Sequence, residues 1–277
     1  MAEDDVRGAA LVTGGAIRLG RAMALGLARH GLDVAVHYNS SSRDADAVVA
    51  EMQALGVRAA ALQADLTDTD QTDGLVPAAA EALGRPLTVL VNNASTFEYD
   101  RIETATHANW DHHIATNLRA LFFLTQAFAA QCPPLREQDG EPLASGLVVN
   151  MVDQRVLKPT PEFMTYSLAK AGLWAFTRTA AQGLGPRIRV NAIGPGPTIR
   201  GTSQSEEDFA RQRAATVLER GGDAEGVVAA LLYLLQARAV TGQLLCVDGG
   251  QHLQWRTRDI LGTYRRAEAG PGGKLST

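Results

Sequence analysis

Short apolar runs alternate with longer segments of helical periodicity along most of this chain. The apolar runs predict β-strands at Ala9–Thr13, Val34–Tyr38, Arg58–Leu62, Thr88–Val91, Leu147–Val152, Arg189–Ile193 and Leu244–Val247. The periodic segments predict helices at about Arg18–His30, Arg43–Leu55, Asp68–Leu83, Trp110–Ala130, Glu162–Gln182 and Asp223–Leu235. Because strands this apolar must be covered on both faces, the alternation predicts an α/β fold in which helices doubly wind a seven-stranded parallel sheet.

Two segments interrupt this alternation. Gly194–Glu207 is rich in Gly, Pro, Ser and Thr and predicts a mobile loop over a site, whereas the polar stretch after about Thr263 predicts disorder. Neither segment indicates a domain boundary, and 277 residues with 45% apolar content are enough for one well-buried core. We therefore expect one Rossmann-type domain over residues 1–264 and a disordered tail over residues 265–277.

Composition narrows the range of partners. The formal net charge is −4, and the basic residues are scattered among acidic ones, which argues against nucleic-acid binding. No run approaches the roughly 18 apolar residues needed to span a membrane, and the acidic start is unlike a signal peptide, so we expect a cytoplasmic protein. Cys132 and Cys246 have neither CxxC spacing nor a neighbouring histidine cluster in the sequence, and both are predicted to be reduced packing residues.

A glycine-rich turn joins the first predicted strand to the first helix. Gly14 and Gly20 permit a tight turn, and the backbone around Arg18 and Leu19 opens a helix whose N-terminus can meet a pyrophosphate. The turn predicts a dinucleotide site, although a strand-to-helix turn without a ligand would have a similar sequence.

The end of the second strand indicates which dinucleotide would bind. An NAD enzyme usually has Asp or Glu there to bind the ribose 2′-hydroxyl, whereas this chain has Tyr38, Asn39 and Ser40. These polar groups, together with Arg18 or Arg43, could hold a 2′-phosphate, so NADPH is favoured over NADH. The alternative is an ordinary polar loop.

Tyr166 and Lys170 stand at i and i+4 and therefore share one helix face. A nearby cation favours tyrosinate and is expected to lower the phenol pKa from about 10, as a general acid working near neutral pH requires. Asp153 lies at the end of the strand that precedes this helix, and open α/β sheets bind ligands at the carboxyl ends of their strands.

Several of these motifs together resemble the short-chain dehydrogenase/reductase superfamily over roughly residues 8–254. The matching motifs are the glycine-rich turn, Asn92-Asn93-Ala94, Asn117, Tyr166 with Lys170, Arg189-Val190-Asn191 and Val247-Asp248-Gly249-Gly250. The resemblance implies that Tyr166 is the proton donor, that Lys170 orients the nicotinamide ribose and that Asn117 maintains a proton-relay water. It also implies that Asp65 faces the adenine. The predicted cofactor site comprises Gly14, Arg18, Leu19, Gly20, Tyr38, Asn39, Ser40, Asp65, Leu66, Asn93, Ala94, Ser95, Tyr166, Lys170, Pro195 and Gly196.

Two departures from the superfamily pattern point to one branch of it. Arg18 stands where most members have a glycine, and Asp153 stands where most have a serine. Both changes occur together in pteridine reductases, which this chain resembles. The segment Gly249–Leu253 is similar to the ending of bacterial dihydromonapterin reductases. The resemblance implies that a pterin ring stacks between Phe97 and the nicotinamide and that Phe163 lines the pocket. The predicted substrate site comprises Arg18, Ser95, Phe97, Asp153, Phe163 and Tyr166.

Three functions remain open at this point. The first is reduction of a dihydropterin ring C=N bond with NADPH, the second is reduction of a ketone or 3-oxoacyl substrate, and the third is a non-catalytic regulatory module that binds NADPH or a pterin. No metal site is expected, since His112 and His113 would point in different directions on a helix and no carboxylate pair completes a site with them or with His107. The resemblance also implies a homotetramer, with His252–Trp255 near a subunit interface.

Overall fold

A computed structural model describes residues 8–201 and 204–257 of the chain. The expected tail over residues 265–277 therefore lies outside the described residues. The strands are β1 Ala9–Val12, β2 Asp33–Tyr38, β3 Ala59–Gln63, β4 Val89–Asn92, β5 Arg136–Gln138, β6 Glu141–Leu143, β7 Gly146–Met151, β8 Ile188–Pro195 and β9 Leu244–Val247. The helices are α1 Arg18–Arg29, α2 Ser42–Ala54, α3 Thr69–Leu83, α4 His107–Ile114, α5 Ala120–Gln131, α6 Met164–Leu184, α7 Glu206–Ala214 and α8 Ala224–Gln236.

Seven of the strands form one parallel sheet in the order β3-β2-β1-β4-β7-β8-β9, which confirms the predicted fold class. Side chains alternate between the two faces of the sheet. Leu11 packs into a core with α3, α5 and α6, whereas its neighbours Ala10 and Val12 pack into a second core with α1, α2 and α8. Burial on both faces accounts for strands that are apolar at almost every position. No helix of the described chain is both long enough and apolar enough to cross a membrane.

Four elements differ from those predicted, and one of them is α7, which lies between the predicted helices Glu162–Gln182 and Asp223–Leu235 and was not predicted. The single helix expected near Trp110–Ala130 is α4 and α5 joined by a π-helical turn, Ala115–Arg119. A hairpin of β5 and β6 precedes β7, and it was not predicted because its strands are short, polar and largely exposed. The expected loop Gly194–Glu207 begins inside β8 and ends inside α7, so its described part is shorter than predicted.

The strand order reverses between β1 and β4, since the chain winds outward in both directions from this pair. A parallel sheet has its ligand crevice at such a point, at the carboxyl ends of the strands. The turn after β1 and the loop after β4 therefore form the two walls of a cleft, and the ends of β7 and β8 extend it.

Candidate active site

The turn between β1 and α1 leaves little room for a side chain at Gly14 and none at Gly20. Gly14 has a φ of +60°, in the left-handed region that favours glycine. A Cβ on Gly20 would overlap the carbonyl oxygen of Gly14 and lie 2.6 Å from Nδ2 of Asn93. The backbone N–H of Gly14 donates to Nδ1 of His37 over 3.1 Å, and Nε2 of His37 contacts the Ala64 oxygen at 3.0 Å. Burial lowers the pKa of His37, which keeps this imidazole neutral so that Nδ1 can accept.

Hydrogen bonds fix this turn to the loop after β4. Oγ1 of Thr13 accepts from the backbone N–H groups of Asn93 and Ala94, each over 2.9 Å. The amide of Asn93 in turn donates to the carbonyl oxygens of Thr13 at 2.9 Å and Gly14 at 3.1 Å. The two walls of the cleft are thus held in one arrangement by the side chains of Thr13 and Asn93.

Two adjoining cavities follow the cleft. The smaller one, of about 270 Å³, lies beyond β2 and β3, and its lining includes the predicted residues Gly14, Tyr38, Asn39, Ser40, Asp65, Leu66, Ala94 and Ser95. The larger one, of about 470 Å³, lies beyond β7 and β8, and its lining includes Gly14, Arg18, Leu19, Gly20, Asn93, Ala94, Ser95, Phe97, Asp153, Tyr166, Lys170, Pro195 and Gly196. Shared lining residues make the two cavities one continuous cleft.

The cleft has the chemistry of a dinucleotide site. At its smaller end Oγ1 of Thr96 is buried without a hydrogen-bond partner in the described chain, so a polar ligand atom could satisfy it. Two hydrogen bonds from Thr67 lower the pKa of Asp65, which keeps that carboxylate ionised as an acceptor. At the tight turn, the missing side chain of Gly20 lets the start of α1 pack directly against Gly14 and Asn93, and the N-terminus of α1 can meet a phosphate there.

Asp153, Tyr166 and Lys170 meet at the inner wall of the larger cavity. The phenol of Tyr166 donates to Oδ2 of Asp153 over 3.0 Å. Nζ of Lys170, which is buried, donates to the Met151 carbonyl over 2.8 Å and lies 5.7 Å from the centre of the Tyr166 ring. Burial lowers the pKa of Lys170 to about 8, although the charge of Asp153 opposes this shift.

The predicted direction of the Tyr166 pKa is wrong for the protein as it stands. Burial, together with the charge of Asp153 and its hydrogen bond to the phenol, raises that pKa well above its ordinary value. We expected Lys170 to lower it, but the Lys170 ammonium is directed to the Met151 carbonyl, whereas the carboxylate is in direct contact with the phenol. Tyr166 is therefore held protonated, which is the state that a proton donor needs before reaction.

Two of the predicted site residues, Asn117 and Phe163, line neither cavity. Asn117 is buried in the π-helical turn, where its amide accepts from Thr96 N and donates to Thr96 O, both at 2.9 Å. It thus fixes the loop that carries Phe97, and its contact with a relay water stays a prediction. Phe163 was predicted to line the pocket, but its ring lies flat against Phe97, with ring centres 4.1 Å apart, and fills one side of that ring instead.

Arg18 occupies the entrance of the larger cavity rather than the 2′-phosphate end of the cleft. Its guanidinium donates to the carbonyl oxygens of Ile199 and Arg200 at 3.1 and 3.0 Å. These bonds join the start of α1 to the segment after β8. Binding of cofactor or substrate by Arg18 stays a prediction, whereas Tyr38, Asn39 and Ser40 line the smaller cavity, where a 2′-phosphate is expected.

Sequence reasoning missed several residues of the cleft. His37 was predicted only as a residue of the second strand, and its hydrogen bond to the backbone of the glycine-rich turn was not predicted, although a histidine at the end of a buried strand is a signal for a satisfied polar role. Arg155 lines the larger cavity from the 3₁₀ turn Gln154–Val156, which Asp153 caps by accepting from Arg155 N at 2.8 Å. Gln251 lines the same cavity from the C-terminal side and has no signal of its own in the sequence.

The histidines and cysteines take the following places. His112 contacts Glu98 at 3.1 Å, and buried His113 bonds Thr165 at 2.7 Å. Neither Cys132 nor Cys246 forms a disulfide, as predicted. Cys246 has no histidine cluster beside it in the sequence, but in the fold one histidine is close to it. Cys246, Asp248 and His252 have their possible ligand atoms within 4.8 Å of one another. The Asp248 carboxylate there already accepts from Gly250 N, His252 N and His252 Nδ1.

Comparisons with known proteins agree with this geometry. A family model described as enoyl-(acyl carrier protein) reductase matches residues 15–252. A 3-oxoacyl-[acyl-carrier-protein] reductase of Staphylococcus aureus is 33% identical over 88% of this chain and 98% of its own length.

Two solved structures are similar as well. FolM alternative dihydrofolate reductase 1 of Brucella suis, in complex with NADP, is 42% identical over 91% of this chain and 98% of its own, with a TM-score of 0.85. The Brucella canis protein of the same description, also complexed with NADP, is 41% identical over 92% and 98%, with a TM-score of 0.83. With its seven-stranded parallel sheet, its glycine-rich turn and its Tyr166–Lys170 pair, the chain belongs to the short-chain dehydrogenase/reductase superfamily.

Proposed function

We propose that this protein is an NADPH-dependent reductase that converts a dihydropterin to its tetrahydro form by reducing a ring C=N bond. The observation that carries the proposal is the 3.0 Å hydrogen bond between Tyr166 and Asp153 at the wall of the larger cavity. A pterin presents N–H and amino donors that a carboxylate can accept, and its ring nitrogen takes up a proton when the adjacent carbon receives hydride. The likeness to the two FolM structures, described as alternative dihydrofolate reductases, supports the same assignment.

The chain's own residues supply binding and the proton. The turn at Gly14 and Gly20 would hold the pyrophosphate, and Lys170 would orient the nicotinamide ribose. NADPH, when bound, supplies the hydride that the ring carbon accepts. Tyr166 gives its proton to the ring nitrogen, and Asp153 accepts a hydrogen bond from the pterin in addition to the one that it accepts from the phenol.

The NADPH assignment rests on the polar end of β2. The lining of the smaller cavity there has the side chains of Tyr38, Asn39 and Ser40 and no carboxylate at the strand end to repel a 2′-phosphate. NADPH should be preferred over NADH by at least about tenfold in kcat/KM, or ~1.4 kcal/mol. Equal efficiency with the two cofactors would remove this part of the proposal.

A second candidate function is reduction of a ketone or 3-oxoacyl thioester. The 33% identity with a 3-oxoacyl-[acyl-carrier-protein] reductase favours it. Asp153 argues against it, because a ketone oxygen gains negative charge as hydride arrives and an ionised carboxylate beside it opposes that change.

NADPH oxidation by the purified enzyme distinguishes these functions. The substrates are 7,8-dihydrobiopterin, dihydromonapterin, dihydrofolate and an acetoacetyl thioester, each measured as kcat/KM. We expect the dihydropterins to be reduced far better than the thioester. The opposite order would replace the pterin assignment with the ketoreductase, and cofactor binding without turnover of any substrate would indicate a regulatory module.

We also propose that the protein assembles as a homotetramer, with His252–Trp255 close to a subunit interface. Exposed aromatic rings on neighbouring helices support an assembly: Phe122 and Phe123 on α5 are 43% and 40% exposed, and Phe122 lies 5.1 Å from the ring of Phe176 on α6.

A further inference from the structure

Beside Asp153 and Tyr166 lies Arg155, whose guanidinium has no carboxylate partner among the residues that the structure describes. Arg155 lines the larger cavity, and its backbone N–H is held by the same Asp153 carboxylate that accepts from Tyr166. Its guanidinium carbon lies 4.8 Å from the ring centre of Phe163 and 5.8 Å from that of Phe97. The backbone hydrogen bond to Asp153 and the rings of Phe163 and Phe97 thus position the Arg155 side chain.

The guanidinium of Arg155 has spare hydrogen-bonding capacity. Only Nη1 is engaged, and it donates to neutral oxygens: Oγ1 of Thr160 at 3.1 Å and the backbone oxygen of Glu162 at 3.4 Å. In residues 8–201 and 204–257, Nη2 and Nε make no hydrogen bond and no carboxylate oxygen lies within 4.0 Å of this guanidinium. Both hydrogen bonds of Nη1 are exposed, so the remaining donors of the guanidinium are accessible to an anion from solution.

The charged groups around Arg155 are committed elsewhere. One oxygen of Asp153 accepts from Arg155 N and the other from the Tyr166 phenol. Oε1 of Glu162 accepts from the hydroxyl of Tyr99 at 3.4 Å. Arg18, the other arginine of the cavity lining, donates to two backbone carbonyls at its entrance. Lys170, the third cation of the described lining, is buried and donates to the Met151 carbonyl, so Arg155 has the most open donors for a bound anion among these three.

An aromatic surface leads from the proton donor to this cation. The Phe97 ring is 4.7 Å from that of Tyr166 and is 53% exposed, and the Tyr99 ring packs edge-on against Phe163 at 5.2 Å. Exposed rings next to a free guanidinium match a ligand that combines an aromatic or apolar linker with a carboxylate. A short neutral polyol would gain little from either group.

We propose that Arg155 is a specificity-determining residue that binds a carboxylate on the tail of the substrate, so that the site selects pterins with an anionic aromatic tail over pterins with a neutral one. This inference rests on the proposed pterin reductase function and adds the class of tail. The fork of guanidinium donors left open by the protein suits a carboxylate in particular, because both groups are planar and pair through two parallel bonds.

The test compares two substrates that share a pterin ring and differ in the tail: 7,8-dihydrofolate, whose tail carries carboxylates, and 7,8-dihydrobiopterin, whose tail is neutral. Arg155→Met removes the charge and keeps an unbranched apolar stem against Phe163. We expect kcat/KM for dihydrofolate to fall about tenfold or more, mostly through KM, and that for dihydrobiopterin to change less than about threefold. Added salt should raise the dihydrofolate KM of the wild type but not of the variant.

A binding measurement separates this inference from the catalytic proposal. Calorimetric titration of the enzyme–NADP⁺ complex with folate and with biopterin reports tail recognition without turnover. Arg155→Met should weaken folate about tenfold and leave biopterin nearly unchanged. Arg136→Met is the matched control, since Arg136 lies on the exposed β5 and donates only to a backbone oxygen away from the cleft. That variant should behave as wild type.

Each outcome decides a separate point. Equal losses for both substrates, or no loss for dihydrofolate and folate, would overturn the role of Arg155 even if both dihydropterins are reduced. Failure of the wild type to reduce either dihydropterin would refute the proposed function, and the folate and biopterin titrations would then decide the anion site alone. A loss in Arg136→Met that equals the loss in Arg155→Met would reveal a general charge effect and also refute the proposal.

Discussion

At the scale of single residues, Asp153 has two roles that a substitution can separate. Its Oδ1 caps the following 3₁₀ turn, and its Oδ2 accepts from the Tyr166 phenol. Serine can also cap a helical turn, so Asp153→Ser should retain the local backbone while removing the carboxylate. The substitution therefore tests chemistry more than folding.

We predict that Asp153→Ser lowers kcat/KM for a dihydropterin by about a hundredfold or more, the range of lost acid–base assistance. Tyr166→Phe should cause comparable damage, because the phenol is the proton donor. Steady-state NADPH oxidation measures both effects. Any simple ketone that the wild type accepts should be reduced no worse by the serine variant, and a serine variant with full dihydropterin activity would contradict the pterin assignment.

At the scale of elements, the sequence predicted the strands of the buried parallel sheet and missed the exposed β5–β6 hairpin. The seven parallel strands were found because both faces of the sheet are covered, which leaves an unmistakable apolar signal. The β5–β6 hairpin has no such signal, but its turn residues Asp139 and Gly140 both have positive φ, as the Asp-Gly dipeptide favours. That dipeptide could have revealed the hairpin.

In the candidate site, the sequence predicted which residues come together, but not the contacts that loop side chains make. Tyr166, Lys170 and Asp153 come together because β7 ends and α6 begins at the same edge of the sheet, as the topology requires. The stacking of Phe163 on Phe97 and the contacts of Arg18 depend on side-chain directions in loops, which no periodicity encodes. The Tyr166 pKa depends on which charge is in direct contact with the phenol, and i to i+4 spacing could not reveal this.

The turn between β1 and α1 permits a matched pair of glycine substitutions. Gly20→Ala should weaken NADPH binding by more than about tenfold and lower the thermal midpoint, because its Cβ would overlap the Gly14 carbonyl oxygen. Gly74→Ala, in the middle of α3 and with no atom within 4 Å of its Cβ, should stabilise the protein by about 0.5–1 kcal/mol. Fluorescence titration with NADPH and thermal unfolding check both; equal NADPH affinity in the two variants would contradict the tight-turn account.

At the scale of the whole molecule, aromatic side chains are exposed on the outer surface of two neighbouring helices, α5 and α6. Phe122, Phe123 and Phe176 belong to α5 and α6, on the face of the sheet opposite to α1 and α8. Scattered apolar side chains are normal on a monomer, but a contiguous aromatic patch across two helices favours association.

We predict a mass of four times the 29.4 kDa chain by light scattering at micromolar concentration. Phe123→Glu should produce smaller species, because burying an unpaired carboxylate in an apolar interface is costly. Glu137→Gln, on the exposed hairpin, provides a control that should keep the wild-type mass. A monomeric wild type would contradict the assembly.

The π-helical turn between α4 and α5 has a consequence for any redesign that would replace it with a regular α-helix. Such a turn has the geometry of a helix with one residue inserted, and it places Asn117 against the backbone of Thr96. Deleting one residue there would restore regular helical bonding and leave α4 and α5 in nearly their present orientations, because the wide turn absorbs the extra residue locally, but Asn117 would lose the position that the wide turn gives it. A regularised helix would therefore keep its packing on the sheet and lose the two hydrogen bonds that connect it to Thr96, next to Phe97 in the wall of the cleft.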